Sequence, residues 1–450
     1  MSDPFDERLR SYYRAIQVDP PARLEANVDR AIAAAPRRPR LGWARPAFAV
    51  LAAGALVIVL ALALRASLPN PSPSASTVAG SSSTPTATAV PTEPPTATPG
   101  VTAPTKQPAS PSLEPSPTAR PVGSLHDAGA MNPALSQPVA VRLGDGRVLI
   151  TGGREKRPNG ITVLRSQAAQ IYESDPNRFT PTGSMADARA GHSATLLNDG
   201  RVLVVGGIDA SDGFDNLATA ELYDPATGKF TPTGSLAQGR AHHTATLLND
   251  GRVLIAGGYG GGTLSLKSAE IYDPATGKFT TTGAMTVPRR DATATMLDGR
   301  VLIAGGLDQY ATSALASAEL YDPATGKFTA TGSMATARSS FASMGLEDGR
   351  VLVAGGRNTA GDPLKTAEIY DPASGKFSPA GSMTAAGASM AVWLKDTRVL
   401  FVSSGGLSLY DPASGTFSPV ETPAASVDTA TFTLGNVLLT EGGPAQVYQP

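Results

Sequence analysis

Asp199-Gly200-Arg201-Val202-Leu203-Val204-Val205-Gly206-Gly207, followed by Ala220-Glu221-Leu222-Tyr223-Asp224-Pro225-Ala226-Thr227-Gly228-Lys229-Phe230, decides the fold. The first stretch is an Asp-Gly turn and an unbroken apolar run, which reads as a strand buried on both faces and ended by Gly-Gly. The second is a short strand, a type I turn closed by a left-handed glycine, and the start of another strand. With His192 to Leu197 before the Asp-Gly turn and Phe230 to Thr233 at the end, the unit has four antiparallel strands. The same phrase returns from Asp250 to Phe279, Asp298 to Phe328 and Asp348 to Phe377, at intervals of 48 to 51 residues. A unit this small cannot bury its own apolar faces, so copies must pack side by side in a closed array.

Gly-Gly pairs number seven: 152-153, 206-207, 257-258, 305-306, 355-356, 405-406 and 442-443. The chain ends just after Val447-Tyr448, before a fourth strand. Gly123-Ser124-Leu125 is similar to the fourth-strand ending Gly234-Ser235-Leu236, so residues 119 to 125 are expected to complete the last unit and leave no open edge. The fold class is therefore all-β, a seven-bladed propeller of four-stranded antiparallel blades occupying residues 119-450.

Gly-Gly, a following Tyr, and an aromatic seven residues later resemble the kelch repeat over about 330 residues. The second aromatic, commonly Trp in that family, is here Phe179, Phe230, Phe279, Phe328, Phe377 and Phe417. Phe keeps the packing role and drops the indole donor. The resemblance implies a kelch-like propeller and leaves its function open, because one fold serves many sites.

Three segments precede the repeats. Residues 46-64 carry no charge over 19 positions, about 28 Å as a helix, which predicts one transmembrane helix. Arg37, Arg38, Arg40 and Arg45 precede it and Arg65 follows, so residues 1-45 are expected in the cytoplasm and the propeller outside, on a single-pass cell-membrane protein. A signal peptide cut near Ala61-Leu62-Ala63 is the competing reading, opposed by the length of the preceding segment. Residues 65-118, mostly Pro, Ser, Thr and Ala, read as a disordered stalk able to reach on the order of 160 Å if fully extended.

Within residues 1-45, Phe5, Leu9, Tyr12 and Ile16, then Leu24, Val28 and Ile32, predict two short amphipathic helices with a possible cytoplasmic partner. The run from Pro20 to Ala35, with the basic residues and span that follow, resembles the juxtamembrane region of single-pass bacterial anti-sigma factors. The His and Cys pattern of zinc-binding members is missing.

A net charge of -1 offers no global basic field, so nucleic acid is not an expected partner. The chain has no cysteine, which removes disulfides, thiolate metal sites and the Cys-linked Tyr of a copper radical site such as that of galactose oxidase. His192 and His243 fall at one strand-start position of successive units, the placement of structural residues rather than metal ligands. No catalytic residue, cofactor or metal is assigned.

Arg189, Arg240, Arg289 and Arg338 each stand six residues after the Gly that closes a fourth strand, and admit two readings. They converge on the axis as an anion site, or they pair within their units. Glu221, Glu270, Glu319 and Glu368 occur in those same units, whereas units with Gly129, Gly387 or Ala424 at the arginine position carry Gln170, Ser408 or Gln446. Arg and Glu come and go together, as buried ion pairs do, so pairing is the expectation.

Unit-to-unit variation concentrates in the loops after Gly-Gly, where binding on a rigid repeat scaffold usually resides. Candidate ligand-face residues are Arg154, Arg157, Asp212, Phe214, Tyr259, Tyr310, Arg357 and Asp362. The expected function is a non-catalytic binding or sensing module for a protein or glycan. The alternatives are a carbohydrate-active propeller enzyme, or an anti-sigma-like signalling protein acting through residues 1-45.

Overall fold

The computed structural model describes residues 123–156, 162–209, 216–261, 264–403, 405–420, 429–432, 437–440 and 444–450. The tail, span and stalk expected within residues 1-118 lie outside them. All described residues fall in one compact unit, Ser110–Pro450. No α-helix occurs among the described residues, and none of these forms a helix able to cross a membrane.

Seven four-stranded antiparallel sheets are the blades. Blade 2 is typical, with strands Ser193–Leu196, Val202–Val205, Ala220–Asp224 and Lys229–Pro232. First strands pack on one another in ring order, the first strand of blade 7, Thr429–Phe432, against that of blade 1, Val139–Arg142. The second strand is buried throughout because a blade has a neighbour on each side. Val202 and Val204 pack toward blade 1, and Leu203 and Val205 toward blade 3. That two-sided burial is why its sequence shows no alternation.

On blades 2 to 5 the repeat tyrosine ties its blade to the one before it. The Tyr223 ring lies 4.8 Å from Phe230, tilted by 48°, while its hydroxyl pairs with Thr182 Oγ1 of blade 1 at 2.9 Å. Tyr272 with Thr233, Tyr321 with Thr282 and Tyr370 with Thr331 repeat the link at 2.7 to 2.9 Å. Beside it Gly183 N–H donates to Gly228 O at 2.9 Å, and a Cβ on Gly183 would sit 2.3 Å from that oxygen, so backbone contact between blades requires glycine there.

The ring closes as the sequence suggests, but in a different register. Ser124–Ala130 is the outer strand of blade 7, antiparallel to Pro444–Gln449, with Leu125 opposite Tyr448. In blade 2 the residue opposite the tyrosine is Phe230. Leu125 is therefore the counterpart of Phe230, not of Leu236, and Gly129-Ala130-Met131 is the true counterpart of Gly234-Ser235-Leu236. Burial fixes the choice: Met131 is 4% exposed and packs with Ile150 and Tyr172, as Leu236 packs between blades 2 and 3. Gly129 consequently does not hold the arginine position of blade 1; Leu135, fully buried, does.

Candidate functional site

Two faces differ. One carries the Asp-Gly and Asp-Pro turns, which repeat nearly unchanged. Asp224 accepts from Ala226 N–H at 2.9 Å and from the Thr227 hydroxyl at 3.0 Å, holding its carboxyl below the usual range. Lys229, Lys278, Lys327 and Lys376 follow these turns and are exposed.

The other face holds the Gly-Gly corners, the loops after them and the segments entering each first strand. On blades 2 to 5 the residue after Gly-Gly bridges both the incoming segment and the returning loop: Ile208 joins Ala190 and Asn216, Tyr259 joins Ala241 and Ser265, Leu307 joins Arg290 and Ala314, and Arg357 joins Ser339 and Pro363. On blade 1 the same connection grows into a sheet of Leu135–Ser136, Arg154–Lys156 and Thr162–Arg165. Blade 6 differs, because Gly406 pairs directly with Ser403 and nothing projects.

The four arginines turn into the blades, each within hydrogen-bond reach of its glutamate. Arg189 and Glu221 meet at 2.7 Å, Arg240 and Glu270 at 2.9 Å, Arg289 and Glu319 at 3.0 Å, and Arg338 and Glu368 at 2.9 Å. Every one of these side chains is buried. Arg240 Nη1 also donates to Gly257 O and Ser268 O at 3.0 Å, and Glu270 accepts Ala237 N–H at 2.8 Å. One ion pair thus fastens the entering segment, the Gly-Gly corner and the third strand. Burial pulls the Arg240 guanidinium below its ordinary value while Glu270 pushes it back. In blade 1, Gln170 replaces the glutamate, accepting Asn132 N–H at 2.9 Å and donating to Pro133 O at 3.0 Å.

His192 and His243 also turn away from any shared ligand. His192 Nε2 lies 3.0 Å from Thr151 Oγ1, and His243 Nε2 lies 2.8 Å from Ser193 Oγ, each a contact with the preceding blade. Burial, reinforced by Arg189 and Arg240 respectively, holds both rings down at about 3, so they stay neutral.

Where the first strands of blades 2 to 5 begin, a chain of backbone hydrogen bonds forms part of a rim. Gly191, His242, Asp291 and Ser340 stand two residues past their arginines, all left-handed at φ of 64°, 53°, 52° and 49°. His242 N–H donates to Gly191 O, Asp291 N–H to His242 O and Ser340 N–H to Asp291 O, at 2.9 to 3.1 Å. Three non-glycine residues in that conformation are a concentration of backbone strain of the kind functional sites hold. His242 Nδ1 is 2.8 Å from Asp291 Oδ1, and the His242 ring stacks on Tyr259 at 5.7 Å. The Arg290 guanidinium lies 4.9 Å from the centre of the Tyr259 ring. Next to the rim the first strands of blades 3 to 6 line an open cavity of about 310 Å3.

The sequence candidates do not gather at one point. Tyr259 belongs to the rim. Arg154 is exposed on the blade 1 sheet, and Tyr310 is 67% exposed on blade 4. Arg357 donates to Gly361 O at 2.9 Å, and Asp362 pairs with Asn358 at 3.1 Å, so both shape the blade 5 loop. Arg157, Asp212 and Phe214 lie outside the described residues. His242, Asp291, Arg290 and Ser340 escaped sequence reasoning. The available signal was their fixed distance from the arginines combined with their variation, since a constant strand-start position changing from Gly to His, Asp and Ser marks a surface rather than a core.

Residues 137–356 match the model of the KLHDC2/KLHL20/DRC7 Kelch-repeats domain, and residues 339–384 match the Kelch motif. The spermatocyte protein spe-26 of Caenorhabditis elegans is 32% identical over 118 residues, 26% of this chain and 20% of that protein. This chain therefore spans only a fifth of that relative's length. A fungal alcohol oxidase of the AA5 family, solved in complex with copper, superposes with a TM-score of 0.57 at 18% identity, covering 73% of this chain and 76% of that one. YjhT superposes with a TM-score of 0.46 at 16% identity, covering 54% and 83% respectively. At such identities the likeness to the oxidase is one of fold alone. The chain lacks cysteine, and among the described residues no group of three or more His, Cys, Asp or Glu is placed to hold a metal. With kelch models matched over successive blades, the Tyr–Phe pair in blades 1 to 6, and a ring of seven four-stranded sheets, residues 124-450 form a kelch-repeat β-propeller.

Proposed function

We propose that this propeller is a non-catalytic binding module whose working surface is the face bearing the rim and the loops of blades 1 to 5, and whose partner is a protein. The carrying observation is the difference between the faces. Five blades raise loops of unlike sequence, each pinned by backbone bridges, whereas the opposite face repeats one turn chemistry. A pinned loop loses little entropy on binding, and Arg154, Tyr310 and Arg357 present the residue types that anchor interfaces. Carbohydrate-active chemistry of the paired-carboxylate kind is disfavoured because the regular glutamates are already engaged by arginine.

The same proposal places the propeller outside the cell. Support comes from the sequence: the uncharged stretch 46-64, arginines before it and a Pro/Ser/Thr-rich stalk after it. Residues 1-45 would then remain in the cytoplasm, available to a partner there.

A protein array probed with residues 119-450 tests the reading. Binding that disappears in Arg154→Glu with Arg357→Glu, and survives Lys278→Glu with Lys327→Glu, is expected. The reverse pattern would assign the work to the other face.

A further inference from the structure

The cavity next to the rim has a chemistry of its own. Its walls bring together Thr244, Thr293, Ser343 and Ser389 with Met390 and a set of alanines, while Phe341, also in the lining, packs its ring into the core between blades 4 and 5. No carboxylate, lysine or arginine lines it, and its single ionisable residue, His243, is kept neutral by burial. The hydroxyls keep bonding capacity: Thr244 donates to Ala256 O at 3.3 Å and Ser343 shares one bond with Thr295 at 2.8 Å, so each retains acceptor capacity. Next in sequence to His243 and Ala292 of the lining, His242 and Asp291 form a hydrogen-bonded pair 2.8 Å apart.

We propose that this cavity is a binding site for a neutral polyhydroxylated ring, either a free monosaccharide or the terminal residue of a glycan. Three properties select that class. The volume, about 310 Å3, is at the small end of ligand sites and suits one ring rather than a chain. Hydroxyls that both donate and accept match a ligand whose own groups do the same, and they sit among apolar surfaces that can cover ring C–H faces. The walls offer no ionic partner to a charged ligand, whereas a neutral polyol needs none. None of its lining residues is among Arg154, Tyr310 and Arg357, the anchors proposed for a protein partner, and the sugar probes require no protein, so either assignment stands or falls alone.

Saturation-transfer NMR on the purified full-length protein, with glucose, galactose, mannose, myo-inositol and glucuronate as probes at about 10 mM, tests the proposal. Transfer to at least one neutral probe is expected, with a weaker response from glucuronate. Ala294→Leu, which puts a larger side chain into the cavity wall, should reduce the response roughly tenfold. Should that variant fold poorly, Ser343→Ala and Ser389→Ala remove hydroxyls without adding bulk and should each weaken binding. A methyl glycoside that competes as well as the free sugar identifies a glycan end, and competition by the free sugar only identifies a free monosaccharide. No transfer from any neutral probe, a response unchanged in all three variants, or a preference for glucuronate overturns the proposal.

Discussion

Blade 1 contains a natural experiment on the ion pairs, and copying it into blade 3 gives the sharpest stability test. There Leu135 and Gln170 stand where blade 3 has Arg240 and Glu270, and Gln170 still accepts the backbone N–H of Asn132 at 2.9 Å. Arg240→Leu alone removes the guanidinium from a Glu270 side chain only 3% exposed, leaving a buried carboxylate with Ala237 N–H as its remaining described donor. Stranding a buried charge in this way costs about 3–5 kcal/mol. Glu270→Gln alone strands the guanidinium, a similar penalty moderated by the carbonyls of Gly257 and Ser268. The double variant removes both charges while the glutamine oxygen keeps the bond to Ala237, so it should recover about 1–3 kcal/mol relative to the sum of the singles. Equilibrium urea unfolding of the four proteins measures the coupling. Losses that simply add, with the double variant as unstable as the sum of its parts, would refute the pairing argument and show that the arginine acts through its carbonyl contacts alone.

Three further outcomes are expected. His192 binds a proton in the unfolded chain near pH 6.5 but in the native state only near pH 3, so stability falls as pH drops from 6.5 toward 3, by about 2 kcal/mol at pH 5. His192→Phe, which copies Phe341 at the equivalent place in blade 5, should remove about half of the slope in melts between pH 7 and pH 5, His243 supplying the rest; an undiminished slope would remove His192 from the explanation. Met131→Ala should destabilise by about 2–4 kcal/mol, as a core truncation does, whereas the register expected from sequence would put Met131 beyond the strand and make the change almost silent. Protease added to intact cells, or to spheroplasts of an organism with an outer membrane, should remove the propeller and leave residues 1-45 protected; a protein released into the medium without its apolar stretch would instead mean a cleaved leader.

Blade number, strand order and the Arg–Glu pairing were legible because each is written several times. Val202 to Val205 read as a two-sided buried strand from its lack of alternation, and the joint loss of Arg and Glu in the same units pointed to contact. The closing strand was harder because it stands alone. It lacks the Asp-Pro-Ala-Thr-Gly turn that fixes the register of other outer strands, and two Gly-small-apolar triplets, at 123-125 and 129-131, compete for one position. Only burial of Met131 against the next blade separates them. The rim was illegible for another reason. His242 and Asp291 touch across 49 residues of sequence, and neither type repeats at that position, so nothing local announces that the ring brings them together.

Site-specific photo-crosslinking in the native cell tests the assignment of the working face most directly. A benzophenone side chain replacing Tyr310 or Arg357 reports on the face with the loops, and one replacing Lys278 or Lys327 reports on the uniform face. Discrete crosslinked species from positions 310 and 357, with none from 278 and 327, are the predicted result. Crosslinks confined to 278 and 327, or equal from both faces, would contradict the assignment.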